Sequence, residues 1–72
     1  MPSHTYKCLE LTGSSTTSSD DAIRTAVERA SQTIRDIKWY EVLSQRGHVE
    51  NGKVAHWQVT IKLWFTLESD TA

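Results

Sequence analysis

The chain has one cysteine, one proline and no long hydrophobic run among its 72 residues. The single thiol, Cys8, excludes an internal disulfide, and His4, His48 and His56 show no zinc-ligand spacing with it. No apolar stretch is long enough to span a bilayer, and the first residues lack the apolar core of a signal peptide. We therefore expect a cytoplasmic protein with a reduced thiol and no membrane partner.

Charge of one sign is not in excess either. The net charge is −1, which argues against nucleic acid as a partner, because nucleic-acid-binding domains are normally basic. A single domain this short buries only about 60% of its unfolded surface and is marginally stable by itself. Without a disulfide or a structural metal, oligomerisation is the remaining way to stabilise it.

Catalytic constellations are also missing from the sequence. No serine lies in a nucleophile elbow, and Gly13-Ser14-Ser15 lacks the glycine pattern and the lysine of a phosphate-binding loop. A lone cysteine in a strand, such as Cys8, is usually a small packed residue. We expect a protein that is not an enzyme.

The hydrophobic pattern predicts four elements and a short tail. Alanine and isoleucine recur at helical spacing in the middle of the chain, after Ser18 and Ser19, which are candidate N-caps. The order indicates an α+β fold of type β-α-β-β, in which one helix covers a single face of a three-stranded antiparallel sheet. The predicted bounds are strand 4–12, which Gly13 breaks, helix 20–35, strands 38–50 and 53–68, and a loose tail 69–72.

Asn51-Gly52 lies between the last two strands and predicts a hairpin with a type I′ turn. Counting outward from the turn gives the facing residues, because each further step keeps the register. Opposite charges in one facing pair support this register. The predicted pairs on one face are Glu50–Lys53, Gln45–Gln58, Leu43–Thr60, Glu41–Lys62 and Trp39–Trp64.

The two faces of the hairpin differ in composition. One is nearly all apolar, so we expect it to pack on the protein's own helix. The other carries two tryptophans and polar residues, and needs a partner or a ligand. The apolar face has Tyr40, Val42, Ser44 and Arg46 against Trp57, Val59, Ile61 and Leu63.

Three side chains of the hairpin are candidate ligand contacts. Trp39 is either an interface residue or a plate on which a flat heteroaromatic ring stacks. Gln58 is either a solvated strand residue or the amide that pairs with the edge of such a ring. Arg46 is either a surface charge or a phosphate clamp. Strict alternation puts Arg46 on the apolar face, so either a bulge re-aims it or its stem packs over Trp57.

Several stretches resemble the dodecins, a family of small flavin-binding proteins. The similarity extends over almost the whole chain in the right order. The stretches are Tyr6-Lys7-Cys8-Leu9-Glu10-Leu11-Thr12-Gly13-Ser14-Ser15, Trp39-Tyr40-Glu41-Val42, Arg46-Gly47-His48, Ala55-His56-Trp57-Gln58-Val59 and Phe65-Thr66-Leu67-Glu68.

The resemblance implies the same fold, with the sheet wrapped around the helix. It also implies a hollow homododecamer that stores flavin and quenches its photochemistry. Flavins would stack between tryptophans from two subunits, with FMN the first candidate and riboflavin or FAD the others. Trp39 matches the stacking tryptophan, Gln58 the glutamine at the ring edge, and Arg46 an arginine near the bound nucleotide. Some members also hold coenzyme A, for which Arg29 and Arg35, both on the predicted helix, are the candidate contacts.

Three positions depart from the family pattern. Trp64 and Thr66 stand where bacterial dodecins commonly have glycine and arginine, and Lys38 replaces a usual acidic residue. Trp64 either adds stacking surface or crowds the site, and Lys38 favours a phosphorylated flavin. The alternative function is a cofactor-free structural module that oligomerises through its tryptophan face. A flavin-dependent enzyme is disfavoured, because no acid–base pair or substrate pocket is evident.

Overall fold

The computed structural model describes residues 4–67, which form four regular elements. They are β1 (Tyr6–Ser15), α1 (Ser19–Ala30), β2 (Ile37–Glu50) and β3 (Lys53–Thr66). The strands form one antiparallel sheet in the order β1-β3-β2. The predicted β-α-β-β order is confirmed, and β3, the last strand in the chain, lies in the centre of the sheet.

The buried core lies between β3 and α1. Small side chains on α1 let the helix approach the sheet closely. Gly13 of β1 has no room for a side chain, because a Cβ added there would lie 2.3 Å from the carbonyl oxygen of Ala22. The prediction that Gly13 ends the strand is therefore wrong: it allows close packing, and β1 continues to Ser15. The buried apolar residues are Ala22, Ala26, Val59, Ile61 and Leu63.

The helix begins at Ser19, one residue before its predicted start, and ends early. Ser18 is the N-cap, and its Oγ accepts the backbone N–H of Asp21 at 3.0 Å. The predicted end at residue 35 is wrong, since α1 stops at Ala30 and the next residues form a turn. In that turn the N–H groups of Gln32 and Thr33 donate to the carbonyls of Arg29 and Ala30, three residues back, at 3.2 and 3.1 Å, so the last turn tightens away from the α-helical pattern.

The other element bounds differ by a few residues. The first strand starts at Tyr6 rather than at residue 4, and β3 ends at Thr66 rather than at residue 68. Leu67 follows β3, and its N–H donates to the carbonyl of Thr5 at 2.9 Å. Residue 68 and the predicted tail 69–72 lie outside the described residues.

The hairpin turn is as predicted, with φ of 51° at Asn51 and 74° at Gly52. Three predicted pairs are confirmed: Glu50–Lys53, Glu41–Lys62 and Trp39–Trp64. Two predicted pairs are wrong, because the register is shifted by one residue from Ser44 to His48 of β2. There Gln58 faces Arg46 rather than Gln45, and Thr60 faces Ser44 rather than Leu43.

Two bulges produce and then cancel this shift. Ala55 is the extra residue of β3, between the His48–His56 and Val49–Val54 pairs, and Leu43 is the extra residue of β2. A bulge leaves one residue unpaired and exchanges the faces on which its neighbours lie. Counting from the turn cannot detect a compensated pair of bulges, since the register is correct at both ends.

A third irregularity sets the direction of Trp39. Ile37 pairs with Phe65 and Trp39 with Trp64, so Lys38 between them is unpaired. Strict alternation would place Ile37 and Trp39 on one face. Instead Ile37 packs against the core, and Trp39 lies on the opposite face, which we call the open face.

The helix covers only part of the sheet. Its main contacts are with β1 and β3, and every residue of β2 after Ile37 is exposed. Tyr40 and Val42 were predicted to pack on the helix, but in the single chain they are 48% and 44% exposed. A helix of 12 residues is about 18 Å long and does not reach across the 14-residue β2.

The molecule is elongated rather than round. Its extents are 56 × 20 × 13 Å, and its radius of gyration is 15.2 Å, whereas about 11 Å is typical of a compact domain of this length. A single chain therefore leaves much apolar surface of β2 uncovered.

Among residues 4–67, no helix is both long and apolar enough to cross a membrane. The cytoplasmic location stays a prediction.

Candidate binding site on the open face of the sheet

Three aromatic rings from all three strands meet at one end of the open face. Trp39 and Trp64 lie nearly parallel, 18° apart, with ring centroids separated by 6.0 Å. The ring of Tyr6 is tilted by 60° to that of Trp39, at 4.9 Å. Trp39 nonetheless remains 46% exposed. This aromatic cluster offers an indole surface on which a flat ring can stack.

Sequence reasoning anticipated two members of this cluster and missed the third. The Trp39–Trp64 pair follows from the turn, whereas Tyr6 belongs to a strand whose register the turn does not set. Tyr6 pairs with Thr66, and the next pair on the same face of the sheet is Cys8–Trp64. The available signal was an aromatic residue, Tyr6, in the predicted first strand.

Gln58 and Arg46 form the second part of the site, farther along the open face toward the hairpin turn. Arg46 is directly opposite Gln58, and its Nε donates to Gln58 Oε1 at 3.2 Å. The bulge at Leu43, rather than packing over Trp57, accounts for the position of Arg46. Because the amide oxygen faces the guanidinium, the NH₂ group is the end of Gln58 that can donate to a ligand.

The aromatic cluster and the Arg46–Gln58 pair do not meet within one chain. Gln58 is six residues from Trp64 along β3, and Trp64 is opposite Trp39. Six residues of a strand span about 20 Å, which is longer than the three-ring system of a flavin. One chain therefore cannot bring Trp39 and Gln58 to the same ring.

The surface between them is polar. Glu10, Lys62 and Glu41 are directly opposite one another across the three strands, and Lys62 Nζ lies 5.9 Å from the ring centroid of Trp64. Thr12 and Thr60 share a hydrogen bond between their hydroxyls at 2.9 Å. This row fixes the alignment of the three strands and carries one more negative than positive charge.

The two arginines proposed for coenzyme A are not equivalent. Arg29 lines a groove of about 300 Å³ between α1 and β1, together with Gly13, Ser14 and Thr25. Arg35 lies beyond the end of α1, in the exposed link to β2, so its predicted place on the helix is wrong. Of the two arginines, Arg29 is the one that lines this groove.

Cys8 lies on the open face opposite Trp64 and is half-buried. Within residues 4–67 no three side chains among His, Cys, Asp and Glu are grouped so that they could hold a metal ion. The residues of the open face do fit a flavin: an exposed indole suits its electron-poor ring, and an amide with a neighbouring guanidinium suits its polar edge or phosphate.

Sequence comparison finds relatives over nearly the full chain. The sequence model of the dodecin family matches residues 5–68. Dodecin of Thermus thermophilus is 38% identical over 63 residues, which are 88% of this chain and 91% of that protein.

Solved structures give the same result. Dodecin from Streptomyces coelicolor superposes with a TM-score of 0.90 at 51% identity, over 97% of this chain and all of that one (100%). A Mycobacterium tuberculosis structure, described as a calcium dodecin with a novel calcium-binding site, has a TM-score of 0.77 at 28% identity, over 94% and 97% of the two chains. The expected homododecamer is consistent with these dodecin structures. On the match over residues 5–68 and the identity of 38%, this chain belongs to the dodecin family.

Proposed function

We propose that this protein binds and sequesters flavin, with FMN the first candidate and riboflavin or FAD the others, and that it protects against flavin photochemistry. The observation that carries the proposal is the exposed indole of Trp39 within an aromatic cluster on the open face of the sheet. Dodecins are small binding proteins, and we propose no enzymatic activity for this member.

The role of each residue follows from its chemistry. A bound flavin supplies a photoexcitable, electron-poor ring. Trp39 would hold that ring against its electron-rich indole, and reversible electron donation from the indole would quench the excited state. Gln58 orients the ring edge through its amide, and Arg46 holds that amide in place at 3.2 Å. Arg46 also supplies the positive charge for a phosphate.

The proposed site needs two copies of the chain. Because about 20 Å of strand separates the Trp39 and Gln58 positions, the tryptophan of one copy and the glutamine of another would contact the same flavin. The uncovered β2 supports such assembly, since it exposes Tyr40 and Val42 beside a groove of about 490 Å³ lined by Ile23 and Val27. We propose that this assembly is the homododecamer.

Coenzyme A is a further candidate ligand, for the groove between α1 and β1. The groove volume of about 300 Å³ and the guanidinium of Arg29 support it. Arg35 lies outside this groove, and its contact with coenzyme A stays a prediction.

Flavin binding is tested by titrating riboflavin or FMN with the apo-protein. Stacking on Trp39 predicts strong quenching of flavin fluorescence at micromolar protein. Fluorescence that stays unquenched would contradict the proposal and favour the alternative, a cofactor-free module that assembles through the same face. The Trp39→Ala variant is the matched control, because its substitution lies on the open face, away from the buried core.

A further inference from the structure

The free end of the hairpin carries two histidines that the proposed flavin site does not use. His48 of β2 is directly opposite His56 of β3, and their ring centroids are 6.1 Å apart. Neither the turn nor the spacing along the chain reveals this pair, because it depends on the bulge at Ala55. With that extra residue, the two imidazoles fall on the same face as Arg46 and Gln58.

The second observation is a carboxylate beside one of the rings. Glu50 Oε2 lies 3.2 Å from His48 Nε2. A hydrogen bond from one ring nitrogen to a carboxylate leaves the other nitrogen with its lone pair, and it orients the ring. Histidines that bind metals in proteins almost always have such a partner on the second nitrogen. Glu50 therefore prepares His48 to act as a ligand through Nδ1.

The separation of the rings suits a shared ion. Imidazole nitrogens lie about 2 Å from a bound zinc, which puts the ring centroids of two tetrahedral ligands roughly 5 Å apart. The observed separation of 6.1 Å is close to that distance, and the His48 side chain is 58% exposed, which leaves its ring room to rotate toward a shared ion. Imidazole ligands favour zinc, copper and nickel over calcium and magnesium.

The histidine pair lies where the sheet is only two strands wide. The last pair between β1 and β3 is Ser15–Trp57, so from His56 to the turn the hairpin is a ribbon of two strands. Two-stranded ribbons are marginally stable in water. A cation shared by the two strands would fix the end of β2, the strand that the helix leaves uncovered.

We infer that His48 and His56 form a two-histidine site for a borderline divalent cation of the zinc class, with Glu50 orienting His48. Water completes the coordination, since within residues 4–67 no third such side chain is grouped with them as a ligand. Because only two protein ligands take part, the affinity is modest and rises in the assembled protein if copies approach one another there.

The test is a Zn²⁺ titration of the flavin-free protein by calorimetry. The wild type should bind one ion per chain, and His48→Gln and His56→Gln should each weaken binding tenfold or more. His4→Gln is the matched control and should bind as the wild type does. Glu50→Gln should weaken binding by about tenfold, as is typical for loss of a hydrogen-bond partner of a ligand.

Two results would overturn the inference: no binding at millimolar Zn²⁺, or binding that survives both His48→Gln and His56→Gln. Trp39→Ala should bind Zn²⁺ normally, so that failure of the metal site and failure of the flavin site are distinguishable. Thermal unfolding gives a second readout, because Zn²⁺ should raise the midpoint of the wild type and leave that of His56→Gln unchanged.

Discussion

The two strands of the hairpin lie in opposite environments although they pair along their whole length. On β3, Val59, Ile61 and Leu63 are at most 1% exposed beneath the helix. On β2, Tyr40 and Val42 face the same side of the sheet and are nearly half exposed. One strand thus stabilises the chain, and the other presents surface to further copies and to a ligand. This difference leads to four predictions.

The largest effect is expected in the covered strand. Leu63→Ala removes a fully buried side chain and should lower the free energy of unfolding by about 3 kcal/mol, through lost burial and a residual cavity. Chemical denaturation at fixed protein concentration measures it. Val49→Ala on β2, where the side chain is 63% exposed, is the control and should cost well under about 1 kcal/mol.

A charge in the exposed strand should act on assembly instead of folding. Val42→Asp places a carboxylate on the uncovered apolar surface of β2. Light scattering should then give a mass far below that of about twelve chains, while the circular dichroism of the sheet persists. Gln32→Asp, which adds the same charge after α1, should leave the mass unchanged. Equal masses for Val42→Asp and the wild type would mean that copies do not meet through β2.

The stacked partner of Trp39 should contribute less than Trp39 itself. Trp64→Gly removes a ring 6.0 Å from that of Trp39, and aromatic pairs of this kind stabilise by about 1 kcal/mol. We expect flavin affinity to fall by roughly fivefold to tenfold in a fluorescence titration. Trp64→Phe keeps a ring there and should lose less. An increase in affinity for Trp64→Gly would show that this side chain crowds the site.

The smallest effect is expected at Lys38. This exposed residue is the unpaired residue of the bulge that turns Trp39 to the open face. Lys38→Glu reverses the charge beside the Trp39 indole. The affinity for FMN should therefore fall by only a few-fold relative to the affinity for uncharged riboflavin, as is typical of exposed charges. The ratio of the two dissociation constants measures it. An unchanged ratio would exclude Lys38 from phosphate recognition.

Local signals were sufficient for the element order and for the Trp39–Trp64 pair, although not for Tyr6, the third ring of the aromatic cluster. Asn51-Gly52 requires positive φ at two successive residues, which fixed the turn and with it the Glu50–Lys53 pair. The Ser18 cap likewise depends on a hydrogen bond three residues along the chain. Such features are set by neighbours in sequence, so a sequence pattern can reveal them.

Features set by packing across the sheet could not be read in this way. The bulges at Leu43 and Ala55 offset each other, so Arg46 exchanged faces without any mark in the alternation. Gly13 has the appearance of a strand end but provides room for the helix. The exposure of β2 depends on where the helix lies, and the distance between Trp39 and Gln58 depends on the whole register.

The central claim is that one flavin site combines Trp39 of one chain with Gln58 of another. It is tested by co-expressing the Trp39→Ala and Gln58→Ala variants under two different tags, purifying the mixed oligomer and titrating it with FMN. Alone, Trp39→Ala should lose most of the quenching and Gln58→Ala should bind more weakly than the wild type. In the mixed oligomer, a fraction of sites should regain wild-type affinity, because intact Trp39 and intact Gln58 meet across chains. If affinity and quenching equal the average of the two separate variants, both residues act within one chain or not at all, and the account is contradicted.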